Sequence, residues 1–177
     1  AGSGEVTTLS RETATVLETA LAIGEESGGA FDVTVGPLVA LWGFFRDRTG
    51  DAAPPPAETE IDRVLELVGS EKIRYEPASR EVERPRAGMR LGFGAIAKGY
   101  ALDLAAAGSR DAGATAGLLD LGGQILCFGA PPDGGRWRIA LRDPREPELT
   151  AAVADIDSGS VSTSGDYERF TTWQGRR

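Results

Sequence analysis

The chain has 177 residues, 41% of them hydrophobic, and a formal net charge of −8 at pH 7. This length predicts one globular domain over residues 1–177 with a sizeable core, and the acidic balance argues against a nucleic-acid partner. Histidine is absent and Cys127 is the single cysteine, which excludes histidine-dependent nucleophile systems, an internal disulfide and a thiolate cluster. Acid–base chemistry must therefore use carboxylates, lysine, tyrosine or a metal-bound oxygen.

In chain order, residues 1–8 show no anchoring pattern. Ser10 is a suitable N-cap for a first helix, whose apolar residues recur on one face until Ser27 and the glycines after it end the helix. The glycine pair Gly28-Gly29 leads into a short predicted strand that precedes Pro37. Pro37 suits the first turn of a second helix over residues 38–42. No segment approaches the roughly 20 apolar residues of a membrane span.

Asp32 stands among apolar neighbours, where an unpaired charge is costly, so we expect it to have a partner. The partner is either a backbone N–H group or a hydroxyl or amide of a ligand, and local geometry favours the backbone. Trp42 and Phe44 suit stacking on an aromatic ligand, although packing in the core is the commoner role of such residues.

A proline run among charged residues marks an exposed connection over residues 46–60. The apolar spacing then predicts a short amphipathic helix over residues 61–68. Three short strands are predicted over residues 72–75, 80–83 and 90–93.

Residues 89–107 read as a short apolar run, a glycine turn and a helix, with Lys98 in or near the first helical turn. A cation is unfavourable there because the free N–H groups already make a helix N-terminus positive. A bound anion would remove the conflict, and glycines, free N–H groups and one lysine together suit a phosphate. The alternative is a solvated lysine beside a tight turn.

Two apolar runs around Gly122-Gly123 predict a β-hairpin over residues 117–128, with Cys127 as a buried strand residue. Three more strands are expected over residues 137–141, 151–156 and 160–163. Strands outnumber helices and most connections have hairpin length. The predicted fold class is therefore α+β, a largely antiparallel sheet with helices packed on it.

Four motifs resemble those of the ApbE family, the FAD:protein FMN transferases, in their order along the chain and in their residues. The match covers nearly the whole chain, and the resemblance implies a T-fold-like arrangement. The motifs are Gly28-Gly-Ala-Phe-Asp-Val-Thr-Val-Gly-Pro-Leu-Val-Ala-Leu-Trp-Gly-Phe44, Gly94-Ala-Ile-Ala-Lys-Gly-Tyr100, Leu121-Gly-Gly123 and Ser162-Thr-Ser-Gly-Asp-Tyr-Glu-Arg169.

The resemblance implies an Mg²⁺-dependent flavin transferase that passes the FMN half of FAD to a Thr or Ser hydroxyl of an acceptor flavoprotein and releases AMP. The family's FAD contacts fall on Ala30, Phe31, Asp32 and Lys98. The backbone carbonyl of Ala95 matches a magnesium ligand. No catalytic base is identified.

Residues 163–166 form the turn that lines the same cleft in similar proteins, although a tight turn at a strand end explains them nearly as well. Three departures stand out. Gly92 replaces an aspartate that contacts FAD in much of the family, and Gln124 follows Gly122-Gly123 where many members have aspartate. The sequence also lacks the family's later segment with the remaining metal ligands and an opening segment. We therefore expect a central part of a longer protein, inactive in transfer by itself.

Two other functions fit the same scaffold: a non-catalytic FAD-binding or flavin-storage protein, and an Mg²⁺-dependent FAD pyrophosphatase that gives FMN to water. The resemblance also suggests a location outside the cytoplasm, with membrane attachment only through a preceding anchor. The sequence does not identify the acceptor or the oligomeric state.

Overall fold

The computed structural model describes residues 4–44, 54–146, 148–165 and 173–174. The chain divides into two compact units. The first unit comprises Ala1–Ile96 and Thr171–Arg177, and the second comprises Ala97–Phe170. A single domain over residues 1–177 stays a prediction.

The first unit combines one antiparallel three-stranded sheet, in the order β1–β3–β2, with helices. Its elements are β1 (Glu5–Thr8), α1 (Arg11–Glu26), α2 (Gly36–Leu41), α3 (Glu58–Leu65), a 3-10 turn (Ser70–Lys72), β2 (Arg74–Glu76) and β3 (Glu81–Arg84).

Helix α1 has the boundaries that its sequence predicts. The Ser10 hydroxyl accepts a hydrogen bond from the backbone N–H of Thr13, which satisfies one of the free donors of the first turn. The helix ends at Ser27, and Gly28 and Gly29 then turn the chain with φ of 63° and 84°.

The core of the first unit lies where α1 meets the sheet. Leu17 from the buried face of the helix and Val82 from β3 are both almost fully buried. Val33, the residue directly after the expected ligand-binding residues of its motif, belongs to the same core. The complete buried cluster is Leu17, Ala20, Val33, Ile73, Val82 and Met89.

Three local predictions in this unit were wrong. Residues 30–35 and 90–93 form turns and loops instead of strands, joined by one parallel bridge between Val35 and Arg90. The Asp32 side chain accepts hydrogen bonds from the backbone N–H and the hydroxyl of Thr34, which favours a turn over an extended ladder. The start of the chain is better anchored than expected, because β1 pairs along its length with β3.

The second unit contains a three-stranded antiparallel sheet in the order β4–β5–β8, a two-stranded antiparallel ribbon and one long helix. Its elements are α4 (Ala97–Asp111), β4 (Gly117–Leu121), β5 (Gln124–Phe128), β6 (Trp137–Arg142), β7 (Thr150–Ile156) and β8 (Gly159–Val161). The predicted α+β class with largely antiparallel pairing is confirmed.

The predicted hairpin is confirmed as β4 and β5. Leu121 pairs with Gln124, so Gly122 and Gly123 alone form the turn. Their φ angles of 60° and 79° are both left-handed, as a tight two-residue hairpin of this twist requires. Cys127 on β5 is buried, as predicted, and burial raises the pKa of its thiol.

Helix α4 packs on β4 and β5 through its buried residues Leu102 and Ala106. The guanidinium of Arg110 in its last turn lies 4.3 Å from the centre of the Phe128 ring, a cation–π contact. This packing fixes the direction of α4 within the second unit.

One further helix predicted in the first unit is also present. The amphipathic helix expected over residues 61–68 is α3, which starts three residues earlier. Most of the predicted exposed connection over residues 46–60 lies outside the described residues. Within the described part of the chain, no helix is long and apolar enough to cross a membrane.

Candidate functional site

The first part of the first motif forms a turn between α1 and α2, and the rest of the motif contains α2. The backbone N–H of Phe31 donates to the Ser27 hydroxyl at 3.1 Å, while the Phe31 side chain is half-buried against the core. Ala30 is exposed. Trp42 is half-buried and Phe44 is 39% exposed. Both aromatic side chains at the end of this motif therefore keep some surface exposed to solvent.

Both carboxylate oxygens of Asp32 accept hydrogen bonds from the protein. Oδ1 accepts from the backbone N–H of Thr34 at 2.7 Å and from the Thr34 hydroxyl at 2.6 Å. Oδ2 accepts from the backbone N–H of Ser70 at 3.0 Å. The structure thus supplies the backbone partner that the sequence favoured for this carboxylate. A ligand contact at Asp32 stays a prediction.

The segment before α4 also belongs to the first unit. The backbone N–H of Gly92 donates to the carbonyl of Val33 at 2.7 Å, which joins the segment before the second motif to the first motif. A β-carbon built on Gly92 would meet that carbonyl oxygen at 3.8 Å, an ordinary contact. Local packing therefore leaves room for a β-carbon at this position. Ala95 is exposed.

Lys98 is the second residue of α4, as predicted. The side chain is exposed, and the first turn of the helix contains no acidic residue to offset its charge. Lys98 Nζ lies 3.5 Å from the carbonyl oxygen of Gly122, at the outer limit of a hydrogen bond. A positive group thus stands beside the turn of the β4–β5 hairpin.

A cleft of about 420 Å³ opens in the second unit beside this hairpin turn. Asp120 in its wall accepts a hydrogen bond from the N–H of Gly123 at 2.8 Å, which stabilises the turn. The lining residues are Asp120, Gly122, Gly123, Ile125, Ile139, Ala140, Leu141, Arg142, Val161 and Thr163.

The structure brings together motifs that are far apart in sequence. Gly122, which Lys98 approaches, and Thr163 of the fourth motif line one cleft. The other predicted contacts, Ala30, Phe31, Asp32 and Ala95, lie in the first unit. Asp166, the last residue of the predicted turn, lies outside the described residues.

Thr34 was not singled out from the sequence, although it is completely buried and bonded to Asp32. The local signal was present, because an aspartate two residues before a threonine can accept from that threonine's N–H group. The contacts with Gly69 and Ser70 had no sequence signal, since they join segments more than 30 residues apart.

Among the described residues, no three His, Cys, Asp or Glu side chains come together as a possible metal site. Ala95 contributes at most a backbone carbonyl. A magnesium ion prefers octahedral oxygen coordination that includes carboxylates, so these residues do not by themselves fit a magnesium centre.

Comparison with known proteins identifies the family. The model of the ApbE family matches residues 1–177. The chain belongs to the ApbE family. Among its relatives, the FAD:protein FMN transferase of Salmonella typhimurium is 29% identical over 170 residues, 96% of this chain and 49% of that protein. The FAD:protein FMN transferase of Treponema pallidum is 36% identical and is matched over 100% of this chain and 51% of its own length.

Solved structures agree with this assignment. The ApbE protein of Thermotoga maritima superposes with a TM-score of 0.84 at 32% identity, covering 97% of this chain and 54% of that one. This ApbE-family chain therefore spans about half the length of the relatives that it matches.

Proposed function

We propose that the protein transfers FMN from FAD to a Thr or Ser hydroxyl of an acceptor flavoprotein and releases AMP. The observation that supports this most directly is the position of Lys98 at the N-terminus of α4, beside a glycine turn that lines a cleft. The names of the relatives give the reaction class, since they are FAD:protein FMN transferases.

The N-terminus of α4 is suited to a pyrophosphate. Helix N–H groups without an intrahelical partner favour an anion, and Lys98 adds a full positive charge that no acidic residue of the first turn neutralises. The left-handed glycines at 122 and 123 carry no side chain that would block the approach of a ligand. These features fit the diphosphate of FAD.

For the flavin half, we propose contacts from Ala30, Phe31 and Asp32. Ala30 is exposed, and the Phe31 ring is only half-buried, so both can offer surface to a ligand. The hydrogen bonds of Asp32 hold this turn in one conformation, which reduces the entropy lost on binding. These contacts follow the resemblance, and the geometry is compatible with them.

The proposed reaction is a displacement at phosphorus. The acceptor oxygen forms a bond to the FMN phosphorus, the bond from that phosphorus to the bridging oxygen breaks, and the oxygen leaves with AMP. The hydroxyl proton passes to a base that the described residues do not identify. Lys98 would offset the negative charge that develops on the phosphoryl oxygens, an effect of positioning and electrostatics.

We further propose that the reaction depends on Mg²⁺, with the Ala95 carbonyl as one ligand. A divalent cation would supply counter-charge for the phosphates. Its carboxylate ligands must come from outside the described residues, because these contain no suitable cluster. The expected location outside the cytoplasm, the acceptor flavoprotein as partner and attachment through a preceding membrane anchor likewise remain proposals.

The test is incubation of the full-length protein with FAD, Mg²⁺ and an acceptor protein that contains the target Thr or Ser. Mass spectrometry of the acceptor should show the added mass of one FMN, with AMP in solution. An acceptor variant with Ala at the target position is the control. Free FMN with AMP would instead indicate a pyrophosphatase, and intact bound FAD would indicate a binding protein.

A further inference from the structure

Thr34 is a buried polar residue with no exposed surface, in the middle of the first motif. Its hydroxyl donates to Asp32 Oδ1 at 2.6 Å and accepts from the backbone N–H of Gly69 at 2.7 Å. Because water does not reach the Thr34 hydroxyl, this group depends on Asp32 and Gly69 for its hydrogen bonds.

The Asp32 carboxylate also accepts a hydrogen bond from Ser70, the residue after Gly69. Asp32 Oδ2 accepts from the N–H of Ser70, so two consecutive backbone donors point toward the Asp32–Thr34 pair. Gly69 has a φ of 138°, a conformation that residues with a side chain rarely adopt. The turn at residues 69–70 is therefore shaped to hold the first motif.

Two further contacts fix this part of the motif. The Val33 side chain is 1% exposed in the core, and its carbonyl accepts the N–H of Gly92. The backbone just after Ala30 and Phe31 is thus held by the core, by the segment before α4 and by the turn at residues 69–70. Only the last of these connections runs through the Thr34 hydroxyl.

We propose that Thr34 is a positioning residue for flavin binding, which acts by holding Asp32 and the turn at residues 69–70 in register. This inference rests on the proposed function, since it requires residues 30–32 to contact FAD. Thr34 itself is completely buried and offers no surface to a ligand. Its hydroxyl sets the orientation of Ala30, Phe31 and Asp32.

The experiment compares Thr34→Val, which removes the hydroxyl at similar shape, with Thr34→Ser, which keeps it. Thr19→Val is a matched control, because Thr19 is exposed on α1 and its hydroxyl bonds only within the helix. Fluorescence titration of the full-length proteins with FAD gives Kd. We expect Kd to rise roughly tenfold for Thr34→Val and to change less than about twofold for the other two variants.

Steady-state kinetics separates positioning from general destabilisation. A misplaced binding loop should raise KM for FAD while kcat is largely kept, because the lost contacts are made equally in the ground and transition states. Unchanged Kd and KM in folded Thr34→Val would overturn the proposal. An equal loss in Thr34→Ser would overturn it too, because the hydroxyl would then not be the cause.

A second variant covers the case in which Thr34→Val does not fold. Ser70→Pro removes the N–H that Asp32 Oδ2 accepts, at the first position of a 3-10 turn, where proline is tolerated. It should also weaken FAD binding, and unchanged affinity would contradict the proposal.

Hydrogen exchange of the ligand-free proteins supplies a readout that does not depend on flavin. The Gly69 amide should exchange faster in Thr34→Val and at the wild-type rate in Thr34→Ser. Equal protection of this amide in both variants would contradict the claim that the Thr34 hydroxyl holds the turn at residues 69–70.

A wild-type protein that does not bind FAD would overturn the proposed function. Wild-type binding with normal binding by Thr34→Val would overturn the positioning role alone.

Discussion

Lys98 occupies a position that its own helix does not favour. It is exposed near the positive end of α4, and its only side-chain hydrogen bond among the described residues goes to the Gly122 carbonyl at 3.5 Å. A solvated lysine would gain more from a position at the other end of a helix. An anionic ligand gives this placement a physical reason.

We predict that Lys98→Ala weakens FAD binding in the full-length protein by roughly 1.5–3 kcal/mol, the contribution of a charge-assisted contact. The helix should keep or slightly gain stability, because alanine is a better helix former and the unfavourable charge is gone. Isothermal titration with FAD and a thermal melt of the free protein measure the two effects.

Two variants control for charge alone. Lys98→Arg keeps the cation and should retain most of the affinity, whereas Arg145→Ala removes an exposed cation from a turn and should bind FAD normally. If Lys98→Ala and Arg145→Ala bind FAD as the wild type does, Lys98 is a solvated surface residue.

At the scale of the elements, glycines define where strands and helices can end. Gly129 follows β5 with a φ of 64°, and a β-carbon there would clash with the carbonyl oxygen of Thr115. Its own carbonyl accepts the indole N–H of Trp137, the first residue of β6, at 2.7 Å. The connection from β5 to β6 thus depends on a residue without a side chain. Gly108, in the interior of α4, has open space around it.

The same substitution should therefore have opposite effects at these two glycines. Gly129→Ala should lower the free energy of unfolding by at least about 2 kcal/mol, from left-handed strain together with the backbone clash. Gly108→Ala should raise it by roughly 0.5–1 kcal/mol, because alanine loses less entropy in a helix. Urea denaturation measures the free energy of unfolding of both variants, provided that the m-value stays constant. A Gly129→Ala variant as stable as the wild type would contradict this prediction and show that the turn relaxes around the new side chain.

For the whole molecule, the proposed function predicts selectivity for a flavin dinucleotide. FAD should stabilise the folded protein by about 2.7 kcal/mol at a hundredfold excess over Kd, if it binds the native state alone. The melting temperature would then rise by about 5–10 °C for a protein of about 150–250 residues, and by less for a longer one. Differential scanning fluorimetry of the full-length protein in Mg²⁺ checks this.

ATP and NAD are the matched ligands, since each carries phosphates and adenine but no flavin. They should shift the melting temperature less than FAD at equal concentration. An equal shift with ATP would contradict the flavin assignment. Removal of Mg²⁺ with a chelator should reduce the FAD shift if the ion bridges the protein and the phosphates, and should leave it unchanged if Lys98 and α4 suffice.

The sequence by itself determined the features that depend on near neighbours. Ser10 begins α1 because its hydroxyl reaches an N–H group three residues away, and Gly122-Gly123 turns the hairpin because both residues need left-handed φ. The ApbE family was also accessible, since its four motifs are short and continuous. The buried state of Cys127 followed from an apolar strand pattern.

Tertiary structure alone decided that residues 30–35 and 90–93 do not form strands and that Gly69 and Ser70 contact the first motif. Residues 30–35 have strand-like composition, yet side-chain and backbone hydrogen bonds at Asp32 and Thr34 hold them as a turn. The pairing of β1 with β3 and the approach of Gly69 and Ser70 to the first motif join residues 35 or more positions apart. Such contacts depend on the free energy of the whole packed core, which no local window of sequence contains.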